Sequence, residues 1–107
     1  MKHYITSLYC GRDKPGHPVT YQEVELFEDE VISYHFPSGW TRFFASGGWR
    51  SPTMLFSIKE GTAVFQVVHA NSPSDQQKLR DIANAWKQLF KQDSVLMTTV
   101  EAEVTFV

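Results

Sequence analysis

From Ser72 to Lys91 the chain carries a helix signal that any fold of it must accommodate. Ser72 stands where an N-cap belongs, Pro73 suits the first helical position, and Asp75 follows the cap by three residues in a capping-box-like arrangement. Leu79, Ile82, Ala83, Trp86 and Phe90 then recur at steps of three and four, while Gln77, Lys78, Arg80, Asp81, Lys87 and Lys91 fall elsewhere on the wheel. Lys87 and Lys91 lie near the end of the segment, where the macrodipole favours cations. The pattern predicts one amphipathic helix over about residues 73–91 whose single apolar stripe must be covered. Since the rest of the chain reads as strands, the cover is one face of a sheet.

The strand readings rest on alternation and on turn residues. His3 to Tyr9 places Tyr4, Thr6 and Leu8 on one side and Ile5 and Tyr9 on the other, and Gly11, Pro15, Gly16 and Pro18 then break the chain into a loop. Val24 and Leu26 alternate with Glu23 and Glu25, and Val31 to Phe36 follows the polar Glu28, Asp29 and Glu30; this predicts a β-hairpin with an acidic turn, and puts His35 on a strand's polar side. Trp40 to Ala45 is a short aromatic strand, with Gly47 and Gly48 available for a turn. Thr53–Ile58 and Thr62–His69 predict a second hairpin across Lys59, Glu60 and Gly61, with Met54, Phe56, Ile58, Ala63, Phe65 and Val67 facing inward. Val95 to Phe106 reads as a long half-buried strand. The expected architecture is α+β in a single domain over residues 1–107. It has an antiparallel or mixed sheet of about six to seven strands in the order β-β-β-β-β-β-α-β.

Composition narrows the function classes. No apolar run approaches the roughly 20 residues of a membrane-spanning helix, and the first ten residues lack the continuous apolar core of a secretory signal, so a cytoplasmic location is expected. One cysteine, Cys10, permits neither an internal disulfide nor a cysteine-based zinc site. Ten Lys and Arg against twelve Asp and Glu leave a formal charge of −2, which gives no general attraction to nucleic acid or anionic lipid.

The densest unusual segment is Gly39 to Arg50, with Trp40, Arg42, Phe43, Phe44, Trp49 and Arg50 and no acidic residue. Aromatic rings offer stacking surfaces and guanidinium groups bind anions or π faces. A structural reading competes with this one, in which Trp40 and Phe44 simply pack a strand; Trp49 and Arg50, after the double glycine, are then expected to be the more exposed pair. Trp40, Arg42, Phe44, Trp49, Arg50 and His35 are the candidate binding residues. The loop with Arg12, Lys14 and His17 is basic but lacks the residue order of a phosphate loop. His3, His17, His35 and His69 show no metal-ligand spacing, and no catalytic set, metal or cofactor is expected. The five acids of residues 23–30 offer a basic partner a contact of one sign.

Two functions suit these features. The first is a non-enzymatic interaction module, such as an inhibitor, adaptor or accessory subunit of the kind mobile elements and phages encode, which binds a protein through the aromatic–arginine loop or the acidic hairpin. The second is a site for a small anionic or aromatic ligand, a nucleotide, nucleobase or sugar stacked on Trp40 or Trp49, in a sequestering protein or a small enzyme. The apolar C-terminal strand, with Val104, Phe106 and Val107, also suits a homodimer.

Overall fold

The computed structural model describes residues 2–14, 17–53 and 55–107. Strand β1 (His3–Gly11) leads through a two-residue antiparallel ladder, Asp13–Lys14 with His17–Pro18, to helix α1 (Tyr21–Phe27). That helix runs on through a π-helical turn, Glu28–Ile32, and a last α turn, Ser33–His35. Strands β2 (Thr41–Trp49) and β3 (Ile58–His69), helix α2 (Pro73–Phe90) and strand β4 (Leu96–Ala102) complete the chain. The four strands form one antiparallel sheet in the order β2-β3-β1-β4, the βαββαβ arrangement of a ferredoxin-like domain.

The sheet therefore has four strands and not about six to seven. The largest difference is at residues 20–36, which are helical and not an acidic β-hairpin. Thr20 and Glu23 make a reciprocal capping box: the threonine hydroxyl accepts from the Glu23 N–H at 3.1 Å and the Glu23 carboxylate accepts from the Thr20 N–H at 3.0 Å. Val24, Phe27, Ile32 and Phe36 are buried on one side. The step from Phe27 to Ile32 is five residues, which on a regular α-helix would rotate the second side chain roughly 140° away. The π turn, closed by the Ser33 N–H on the Glu28 carbonyl, returns it to the core.

Two smaller corrections concern the second half of the sheet. Residues 53 and 55–57 are outside any strand, and β3 runs unbroken through Lys59, Glu60 and Gly61. Its hairpin partner is β2, in a register that pairs Phe44 with Ala63 and Trp49 with Ile58, so Gly47 and Gly48 are strand residues. The last strand ends at Ala102 and not at Phe106. Met54, expected on an inward face, and Pro15 and Gly16 of the first loop lie outside the described residues.

Both helical segments cover the same face of the sheet. Leu8, Cys10, Ala63, Phe65 and Val67 meet Leu79, Ile82, Trp86 and Phe90 from α2 and Val24, Phe27 and Ile32 from the first helical segment. Trp86 is the centre of this layer, edge-on to Phe27 at 5.0 Å and 4.4 Å from Phe90, and its indole N–H donates to the Gly11 carbonyl at 2.9 Å. Ser72 caps α2 by accepting from the Asp75 N–H at 3.1 Å, and Lys91 ends it in the left-handed conformation at φ 52°. Among the described residues no helix lies on the opposite face of the sheet. The strand registers place Tyr9, Phe43, Val68, Leu96 and Val100 there, and all five are exposed.

Candidate functional site

The fold divides five of the six predicted site residues into two groups and sets His35 apart from both. Alternation along β2 sends Arg42 and Phe44 to the helix-covered face, where Trp40, just ahead of the strand, also packs against the core. Trp40 and Arg42 meet a residue that the strand pattern places in a turn, Glu28 on the π turn. Its carboxylate is buried, and it accepts from the Trp40 indole at 2.7 Å and from Arg42 through both Nε, at 3.3 Å, and Nη2, at 3.1 Å. The forked contact is charge-assisted and fixes the guanidinium plane. Arg42 then lies over two rings, Tyr21 at 5.0 Å and Phe44 at 4.9 Å, and its Nη2 donates to the Tyr21 hydroxyl at 3.5 Å. The hydrogen bonds to Glu28 and Tyr21 raise the Arg42 pKa still further above its ordinary value, so the cation is permanent.

On Phe44 a second guanidinium, that of Arg12, stacks at 4.4 Å and donates to the Val19 carbonyl at 3.0 Å. Arg12 Nε is buried with no hydrogen-bond partner among the described residues. The arrangement is a pinned stack of cations and rings that joins the first helical segment to β2. Arg42 Nε and Nη2 are committed to Glu28 and Tyr21, so an incoming anion would compete with an internal carboxylate for those two nitrogens. The basic-loop reading finds only Arg12 in a described position, since the Lys14 and His17 side chains fall outside the description.

Trp49 and Arg50 form the second group. The β1 ladder on β3 stops at Thr62, so Gly47–Trp49 and Ile58–Glu60 pair only with each other, as an arm beyond the sheet body. Three residues at about 3.3 Å each give this paired stem about 10 Å. Its base is tied by the Arg12 N–H on the Gly61 carbonyl at 2.9 Å and by the Asp13 carboxylate accepting from the Gly61 N–H at 2.8 Å. Trp49 is 51% exposed with its indole donating to Glu60 at 3.3 Å, Arg50 is exposed, and the connecting residues Leu55 and Phe56 are 93% and 66% exposed. His35 closes the first helical segment, half-buried and edge-on to Tyr34 at 5.1 Å, and so lies on a helical turn and not on a strand's polar side.

Chemistry-bearing residues elsewhere are held in structural roles. Cys10 is buried in the core and burial pushes its thiol well above the ordinary range. His69 is buried where β3 ends. Its Nδ1 accepts from the Asn71 N–H at 3.0 Å, so Nε2 carries the proton and donates to the Thr6 hydroxyl at 2.6 Å, and Thr6 in turn reaches Thr99 at 2.7 Å. Burial lowers the His69 pKa, with nearby Asp75 acting in the opposite direction. Sequence reasoning missed Glu28 and His69 as organising residues. The signal for Glu28 was present in the Thr20–Glu23 capping box, which starts a helix on whose inner face an acid interrupts the apolar positions.

Among the described residues no cluster of three or more His, Cys, Asp or Glu is placed to hold a metal, and no helix is long and apolar enough to cross a membrane. A family model described as a protein of unknown function, DUF3574, matches residues 5–106. A search of the curated proteins gives no match. Among solved structures, a phage SAM lyase in the apo state is similar, with a TM-score of 0.68 at 15% identity, over 94% of this chain and 81% of the lyase chain. The phage SAM lyase in complex with S-methyl-5'-thioadenosine aligns at 0.66 and 15% identity, over 92% of this chain and 81% of the other. The GlnK–ATP complex of B. subtilis aligns at 0.61 and 12% identity, over 94% and 82%. At these identities the likeness is one of fold.

Proposed function

We propose that this chain, which belongs to the DUF3574 family, is a small interaction module that docks on a protein partner through the end of its β2–β3 arm. The observation that carries this reading is the set of exposed side chains at that end: Trp49, Arg50, Leu55 and Phe56, on residues that pair with nothing in the sheet body. Trp and Arg are the side chains most enriched at interface centres, and exposed apolar groups gain from being covered. The Glu28–Arg42–Phe44 stack supports the arm by fixing the start of β2 to the first helical segment. The acidic residues of 23–30 do not form the hairpin once expected of them, and Glu28 is consumed internally, so the arm is the better-supported surface. The test compares wild type with a Trp49→Ala, Arg50→Ala double variant by native mass spectrometry after gentle purification from the source cells. The expected result is a co-purifying protein lost in the variant while the melting temperature stays within about 2 °C, since neither side chain is in the core. A collapse of the fold, or a partner retained by the variant, would sink the reading.

A second reading is a site for an adenine-containing small molecule. The observation that favours it is the pair of fold neighbours solved with S-methyl-5'-thioadenosine and with ATP. Arg42 is occupied by Glu28, which leaves Trp49 and Arg50 as the ring and cation for such a ligand. Tryptophan emission titrated with ATP, S-adenosylmethionine and S-methyl-5'-thioadenosine separates the two: quenching by one of them favours the ligand, and a flat response to all three removes it.

A further inference from the structure

The helix-free face of the sheet has a composition that a solvent-facing surface does not need. By register its body carries His3, Ile5, Ser7 and Tyr9 from β1, Thr41, Phe43 and Ala45 from β2, Thr62, Val64, Gln66 and Val68 from β3, and Leu96, Thr98, Val100 and Ala102 from β4, while Glu60, on the same side of β3, stands out on the arm beyond the body. No Asp, Glu, Lys or Arg stands among the positions of the body, although such residues make up 21% of the chain. An antiparallel sheet with one wet face alternates apolar and charged residues; this one alternates apolar residues inward with apolar and uncharged polar residues outward. Tyr9, Phe43, Val68, Leu96 and Val100 remain exposed on it, with Phe106 of the C-terminal tail also exposed at one end beside Val68.

We propose that this face is where copies of the same chain associate, sheet against sheet. Two features select a further copy as the occupant. The first is charge. Each chain carries a formal −2, so self-association is opposed wherever acids meet. The exposed carboxylates of Glu25, Asp29, Glu30 and Asp81 lie on the helical elements, whereas the open face of the sheet body, short of Glu60 on the arm, carries no Asp, Glu, Lys or Arg to repel its own image. A partner recognised by charge would find nothing to pair with there. The second is size. Four strands spaced at about 4.8 Å, with about 26 Å of paired length, give roughly 500 Å² per copy before side-chain relief is counted. Two copies then bury roughly 1,000 Å² or more, the size at which specific interfaces begin. Inner faces of two such sheets pack about 10 Å apart with their side chains interleaved.

Sedimentation velocity on the full chain at about 1 to 100 µM tests this. The expected result is a species of two or more chains in wild type. Phe43→Lys and Val100→Lys, made singly, should each raise the concentration for half-association by at least about a hundredfold, because an unpaired ammonium would be buried at the contact. Leu89→Lys, on the exposed side of α2, should leave the association unchanged. Val100 is on an edge strand and already exposed, so its variant should keep the wild-type circular dichroism and melting curve as a monomer. A wild-type mass that stays at one 12.3 kDa chain at the highest concentration would overturn the proposal, as would an association that survives both lysine variants.

Discussion

Glu28 is the residue whose loss has the widest reach, because one carboxylate orients two side chains, Trp40 and Arg42, through three hydrogen bonds. Its removal leaves the Arg42 guanidinium, only 20% exposed in its side chain, without its counter-charge. Glu28→Ala is expected to lower stability by about 3 kcal/mol in urea unfolding, and a Glu28→Ala, Arg42→Met double variant should recover part of that loss, since breaking a buried pair costs more than replacing it. His69 gives a second test. Burial lowers its pKa in the folded chain from the ordinary 6.5, so the unfolded chain takes up a proton first as pH falls. Stability from this group is complete above about pH 6.5 and declines as pH drops towards the folded value. Protonation at Nδ1 would also remove the acceptor of the Asn71 N–H. Urea midpoints at pH 7.5 and 5.5 should differ more in wild type than in His69→Gln. The capping box marks the helix that carries Glu28, but the partners of Glu28 and of His69 were not legible from sequence, because the function of a lone acid or histidine depends on which distant residues face it. Trp49 and Arg50 were legible as the exposed pair, since the double glycine before them marks a place where the chain leaves the core.

Helix α2 was readable almost to the residue because cap, stripe and stop agree, which is the condition under which local signals suffice. The first helical segment was misread because Val24 and Leu26 alternate with acids in a way that suits a strand, and only the capping box and the burial of Val24, Phe27, Ile32 and Phe36 distinguish the two periods. In the helix Leu26 is exposed, the consequence of a pattern with two possible periods. If the capping box starts this segment, Thr20→Ala should cost about 1 kcal/mol by thermal or urea melting, and Thr20→Ser should cost almost nothing. Trp86→Ala, at the centre of the layer between sheet and helices, should cost about 3 to 5 kcal/mol by the same measurement, enough to threaten folding at ordinary temperatures.

At the scale of the whole molecule the sheet order could not be read from the chain. Alternation places residues on faces, but it gives the same answer for every neighbour a strand is offered. The order β2-β3-β1-β4 puts the first strand in the interior, with Tyr4 opposite His69 on one side and His3 opposite Ala102 on the other. That topology also sets a schedule. The β2–β3 arm closes locally, but β1 can acquire neither neighbour until chain more than fifty residues away has been brought back, and the entropy of those closures must be met before any ladder bond is gained. Substitutions in the arm should therefore slow refolding, while those in β1 and β4 should mainly speed unfolding, a difference that stopped-flow chevrons on paired variants would register. Until that late step the central strand of the finished sheet has both edges open, so the moment of greatest exposure to wrong partners comes near the end of folding.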